Sequence, residues 1–140
     1  MAVGFKVDIF FYAVGHPDFL HSFFSTISYH TEPEGWGTKY PLLMKNLYFD
    51  KLSWEDTEEG LQNVEEIRGI LSKLPPSKVI WDIEDVEKQP PWGNKIPTRI
   101  TSLENYHATP TGKTFLDLLS NALKVAKRNK IDVTVSNLGK

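Results

Sequence analysis

The sequence predicts an α+β fold, a sheet of about four strands packed with three to four helices. Three observations predict it: an alternating apolar segment at the start, apolar spacings of three and four in later stretches, and short alternating segments near 78–83 and 131–135. At 140 residues the chain has the length of one domain, expected to span 1–140, and can bury a core without metal or disulfide staples.

The first strand begins at Val3, with Val3, Phe5, Val7, Ile9 and Phe11 on one face and Gly4, Lys6, Asp8, Phe10 and Tyr12 on the other. Gly15-His16-Pro17 ends it. Asp18 is placed to cap a helix whose Phe19, Leu20, Phe23, Phe24 and Ile27 have helical spacing. The breaker-rich Glu32-Pro33-Glu34-Gly35-Trp36-Gly37 stops that helix. A short helix from about Tyr40 to Tyr48 follows, with Pro41 in its first turn.

Ser53-Trp54-Glu55-Asp56 approximates a capping box, with acids crowding the positive end of the helix dipole. Leu61, Val64, Ile67, Leu71 and Leu74 make that helix amphipathic, and Pro75-Pro76 ends it. Residues 78–83 read as a strand, with Val79, Trp81 and Ile83 to one side. Residues 84–102 hold three prolines and no sustained period, a long loop of the kind that tends to carry function. A short strand over 105–109 precedes a last helix capped by Thr111 or Thr114 and striped by Phe115, Leu118, Leu119, Ala122, Val125 and Ala126. The final strand is Ile131–Val135; if parallel to 105–109, its crossover is right-handed.

Hydrophobic residues at 40% and charged residues at 24% describe a globular chain, and the absence of cysteine excludes disulfides and thiolate metal sites. The N-terminus has no basic segment followed by a long apolar run, and no apolar stretch approaches the ~20 residues that span a bilayer, so a cytoplasmic location without membrane contact is expected. Residues 50–87 carry four basic and eleven acidic side chains, a net of −7, whereas residues 88–140 carry nine basic and three acidic, a net of +6. The basic excess lies mostly on one helix and its flanks, which reads as a solvated face. Direct nucleic-acid binding is not expected.

Chemistry is sparse. Gly112-Lys113-Thr114 lacks the glycine five positions upstream that a phosphate loop needs, because His107 stands there, so a capped turn is the better reading. His16, His21, His30 and His107 form no zinc-binding spacing. Asp82, Glu84 and Asp85 leave a strand end, where metal-dependent hydrolases gather carboxylates. No general acid or base is named nearby, and solvated carboxylates at an interface fit better. No catalytic residue, metal or cofactor is expected. The loop tryptophans say more. Trp36 lies between two glycines and Trp92 on the proline-stiffened Gln89-Pro90-Pro91-Trp92-Gly93-Asn94. Each reads either as an interface anchor or as a plug on the core, while Trp54 and Trp81 read as structural. Trp36, Asp82, Glu84, Asp85, Glu87 and Trp92 are therefore the candidate partner contacts.

Phe19 to His30, Glu34-Gly35-Trp36-Gly37 with Tyr40-Pro41, Val79 to Asp85, and Lys88 to Gly93 resemble, in this order, the immunity protein 70 family. The entry to the last helix, Thr109-x-x-Gly112-Lys113, agrees with it. The resemblance implies a cytosolic antidote, encoded beside a bacterial polymorphic toxin, that binds and neutralises that toxin. It implies no catalytic residue and assigns no contact residue. The −7 stretch adds the expectation of a basic, nuclease-type toxin surface. The alternatives are a metal-dependent hydrolase built on Asp82, Glu84 and Asp85 with a histidine, and a non-toxin adaptor. Nothing in the sequence sets an oligomeric state.

Overall fold

A computed structural model describes residues 2–137 and has the α+β class the sequence predicts, with three strands in place of about four. The alternating segment at the start is two strands, β1 (Val3–Val7) and β2 (Phe10–Gly15), paired antiparallel with Val7 opposite Phe10. The two-residue turn between them is Asp8-Ile9. Asp8 takes φ 55°, a left-handed conformation that a short polar side chain tolerates. Ile9, expected to continue the face of Val3, Phe5 and Val7, is 83% exposed at the hairpin tip. At the other end of the hairpin the register shifts between Val3 and Gly4, and a Cβ on Gly4 would lie 2.4 Å from the Tyr12 carbonyl oxygen. Only glycine fits that approach.

The last strand, β3 (Thr134–Asn137), pairs antiparallel with β1, giving the order β2-β1-β3. It starts three residues later than the sequence predicts. Val133 instead forms a bridge with Leu52, exchanging hydrogen bonds of 2.9 and 3.0 Å, and its side chain is fully buried. β1 is therefore central, which accounts for the burial of Val3, Gly4, Phe5 and Val7.

Helix α1 (Pro17–Thr31) is capped by His16, not Asp18: the His16 Nδ1 accepts from the Asp18 amide at 3.1 Å, and Pro17 opens the helix where its missing N–H costs nothing. Beyond its apolar stripe α1 also buries Ser22, Ser25, Thr26 and Ser28, so it lies beneath structure on nearly every side. The segment after Pro41 is one wide π-type turn, Leu42–Leu47, burying Leu43, Met44 and Leu47. Ser53 accepts from the Glu55 amide and starts a single 3₁₀ turn that leads into α2 (Thr57–Leu71). Helix α3 (Phe115–Asn129) is capped by Thr114, which accepts from the Asp117 amide at 3.1 Å, and ends at Lys130 with φ 58°. Arg68 of α2 reaches Asp117 of α3 at 3.0 Å and Glu104 at 3.5 Å, fastening the two helices to the chain between them.

Two sequence-predicted strands are absent among the described residues. Residues 76–78 form a 3₁₀ turn, and the chain then runs over α1 without a sheet partner. Residues 105–109 form a tight loop that folds back on the start of α3 through an isolated Ala108–Thr114 bridge, in which Phe115 N–H donates to the His107 carbonyl and Thr109 N–H to the Lys113 carbonyl, each at 2.8 Å. The sheet is consequently antiparallel throughout, and no parallel crossover joins 105–109 to β3.

Candidate functional site

Residues 79–83 bury the adjacent Ile80 and Trp81 without the alternation of a strand, and side-chain hydroxyls serve as their backbone partners. Thr26 Oγ1 accepts from the Ile80 amide and donates to the Ile80 carbonyl, each at 3.1 Å, and Ser22 Oγ donates to the same carbonyl at 2.9 Å. Ser25 Oγ accepts from the Ile83 amide at 3.2 Å. This clamp satisfies a buried backbone that would otherwise be orphaned. It also fixes where the chain leaves the core.

At that exit the chain turns repeatedly. Asp82 Oδ1 accepts from the Glu84 amide, and the Asp82 carbonyl accepts from Asp85, both at 3.0 Å. The next turn runs from Asp85 to Lys88. Glu84, Asp85, Val86 and Glu87 are exposed, and among the described residues Glu84, Asp85 and Glu87 have no cation within ion-pair distance. Their carboxylates stand in solvent.

Trp92 follows, 38% exposed. Its indole N–H donates to the Tyr106 hydroxyl at 2.7 Å, and its ring meets Phe19 and Trp81 edge-on, each at 5.5 Å between centroids. Trp81 is buried. Trp36 belongs to a different aromatic group. Its N–H donates to the Met44 carbonyl at 2.6 Å, and its ring packs with His21, Phe24, Tyr48 and Phe49. Phe19 and His21 are about 200° apart around α1, so the two loop indoles rest against opposite sides of that helix. Of the six sequence-predicted contacts, Asp82, Glu84, Asp85, Glu87 and Trp92 share one loop, and Trp36 stands apart.

One wall of an open groove of about 480 Å³ is Trp92. Val14, Phe19, Ile96, Ile100 and Tyr106 give it an apolar lining, with His16 at its edge; Lys95 and Arg99 are the cations along it, and no carboxylate is among its lining residues. Apart from Trp92, the sequence reading singles out none of these for binding. The one signal it carries is that residues 88–100 hold three basic and no acidic side chains.

The histidines do not assemble. His16 is exposed, His30 Nε2 lies 2.7 Å from the Lys78 carbonyl oxygen, and His107 is buried with Nε2 3.0 Å from Ser22 Oγ. Burial pushes the His107 pKa down to about 3, so the ring is neutral. Its Nδ1 has no partner among the described residues. This Ser–His contact lies beneath Ile80, closed to any substrate, and so serves packing. Among the described residues no three His, Asp or Glu side chains come together as a metal-ligand group. Among the described residues Asp82, Glu84 and Asp85 are not joined by a histidine in such a group. No helix among the described residues is long and apolar enough to cross a membrane.

The family model for immunity protein 70 matches residues 5–135. The chain belongs to the immunity protein 70 family. No curated protein and no solved structure matches it. Within this immunity protein 70 chain the matched span takes in the hydroxyl clamp, the acidic turns and the groove beside Trp92. The features that shape this surface thus lie inside the family's domain.

Proposed function

We propose that this immunity protein acts in the cytoplasm by binding the cognate toxin of a bacterial polymorphic toxin system and blocking it stoichiometrically, with no chemical step of its own. Membership of the immunity protein 70 family carries the reading. The loop from Asp82 to Trp92 supports it: Glu84, Asp85 and Glu87, which have no ion-pair partner among the described residues, share a loop with a half-exposed indole, the composition of a charged rim around an aromatic anchor. Glu84, Asp85 and Glu87 favour a basic toxin surface, as on a nuclease, because opposite charge speeds encounter while desolvated aromatic contacts slow release.

The test is co-expression with the toxin encoded by the neighbouring gene. Cells that make both proteins are expected to survive, and the two should co-purify at one to one. Equal killing with and without this protein would end the proposal. Retained protection by a variant that forms no complex with the toxin would remove the stoichiometric mechanism.

A further inference from the structure

We infer that the groove beside Trp92 seats an aromatic or large aliphatic side chain, flanked by carboxylates, from a polypeptide segment of the partner. The inference deepens the toxin-binding reading and rests on it for the identity of the partner.

The groove is built before any partner arrives. Trp92 is held by its hydrogen bond to Tyr106 and by edge-on contacts with Phe19 and Trp81, so an incoming group meets a wall already set in place. Its apolar lining suits a side chain of the size of phenylalanine or leucine, which gains by leaving water. It is partly open to solvent, so a seated side chain can remain attached to a chain segment outside it.

Charge selects what flanks that side chain. Lys95 and Arg99 are exposed and, among the described residues, have no carboxylate within ion-pair distance. His16 lies on the same wall with its Nδ1 taken up by the Asp18 amide, which leaves Lys95 and Arg99 to set the sign of the groove. A segment rich in lysine or arginine is repelled here, whereas carboxylates on either side of the buried group meet the two free cations. The acidic turns at Glu84–Glu87 lie on the same loop and present the opposite sign. A partner that matches both must be acidic at the groove and basic beyond it, and that polarity fixes its orientation.

The experiment titrates ¹⁵N-labelled protein with two end-blocked peptides, acetyl-Gly-Asp-Phe-Asp-Gly-amide and acetyl-Gly-Lys-Phe-Lys-Gly-amide, and follows the Trp92 indole N–H by NMR. The acidic peptide should shift that resonance saturably and the basic one should not. Lys95→Glu/Arg99→Glu, at exposed loop positions, should weaken the acidic peptide about tenfold and favour the basic one. No saturable shift, or equal shifts by both peptides, would overturn the inference. So would phenylacetate binding as tightly as the peptide, which would place a small aromatic anion in the groove in place of a chain segment. The same double variant is then tested against the neighbouring-gene toxin. If wild-type protein binds that toxin and the variant binds it equally well, the inference fails and the immunity reading stands. If wild-type protein does not bind it, the immunity reading fails and the peptide titration alone decides what the groove accepts.

Discussion

The hydroxyl of Thr26 is both acceptor and donor to the backbone of Ile80, at 3.1 Å in each direction. One α1 side chain thereby stands in for the strand neighbour that residues 79–83 lack. Thr26→Val keeps the shape and removes the acceptor of a buried N–H, while Ser22 still satisfies the Ile80 carbonyl. The expected cost is ~1–3 kcal/mol, read from urea unfolding. Thr26→Ser, which keeps the hydroxyl, should lose less. Equal losses in the two variants would show that the hydroxyl contributes nothing.

His107 makes the fold sensitive to acid. Its folded pKa is pushed down to about 3 by burial, against about 6.5 in an unfolded chain. Between those values the unfolded state holds a proton that the folded state does not. Stability from this group is complete above about pH 6.5 and falls by ~1.4 kcal/mol per unit as the pH drops towards 3. Unfolding measured from pH 7 to pH 4 should be less steep in pH for His107→Phe, whose ring suits the surrounding Phe19, Phe23 and Phe115. Parallel pH profiles would contradict the assignment.

Tyr40 acts at the alkaline end. Burial first, then its hydrogen bond to Glu66 and the charges of Glu66 and Glu32, push its pKa up to about 12. Above the ordinary value near 10 the unfolded chain loses the phenolic proton while the folded one keeps it. Stability is therefore full below about pH 10 and drains away as pH rises towards 12. Glu66→Gln should bring the tyrosinate titration down without returning it to 10, since burial remains. An unchanged titration would remove Glu66 as a cause.

The two loop tryptophans should separate by assay. Trp36→Ala removes a ring packed against four aromatic neighbours and a hydrogen bond to Met44, with a stability cost of roughly 3 kcal/mol. Trp92→Phe keeps an aromatic wall and should change stability less, while reducing affinity for the toxin. Thermal unfolding and a binding titration on both variants check this. Stability falling more in Trp92→Phe would reverse the assignment.

Reversing the acidic turns should leave the fold intact. Glu84→Lys, Asp85→Lys and Glu87→Lys change exposed side chains without ion-pair partners among the described residues, each within about 0.5 kcal/mol. Toxin association should slow in the triple variant and lose much of its salt dependence. An association rate equal to wild type at low salt would show that these carboxylates do not steer the encounter.

What could be read from the sequence was local. Ser53 and Thr114 cap helical segments from positions next to the residues they serve, and the apolar spacing over 61–71 and 115–126 needs no knowledge of the rest of the chain. The hairpin was hidden because alternation passes through a two-residue turn, and a lone Asp8 is a weak turn signal without a following glycine. Residues 78–83 carry the pattern of a strand, yet the groups that satisfy Ile80 come from more than 50 positions earlier. The carboxylates of Glu84, Asp85 and Glu87 were visible as solvated because they crowd one short segment with no apolar period to bury it. The groove was not, since its walls are gathered from β2, the start of α1, residues 92–100 and the loop before α3.

The long loop is tethered at both feet: Ile80 by the hydroxyls of α1, and Leu103 by its amide, which donates to the Leu74 carbonyl at 2.9 Å. Neither tether uses a side chain from the intervening stretch. The exposed positions between them, Glu84 to Gln89 and Lys95 with Thr98 and Arg99, can change identity while the anchor points hold. If the proposed toxin-binding role holds, a lineage chased by altered toxins can revise its recognition alphabet letter by letter on an unaltered frame, and a protein engineer can graft new specificities at the same addresses.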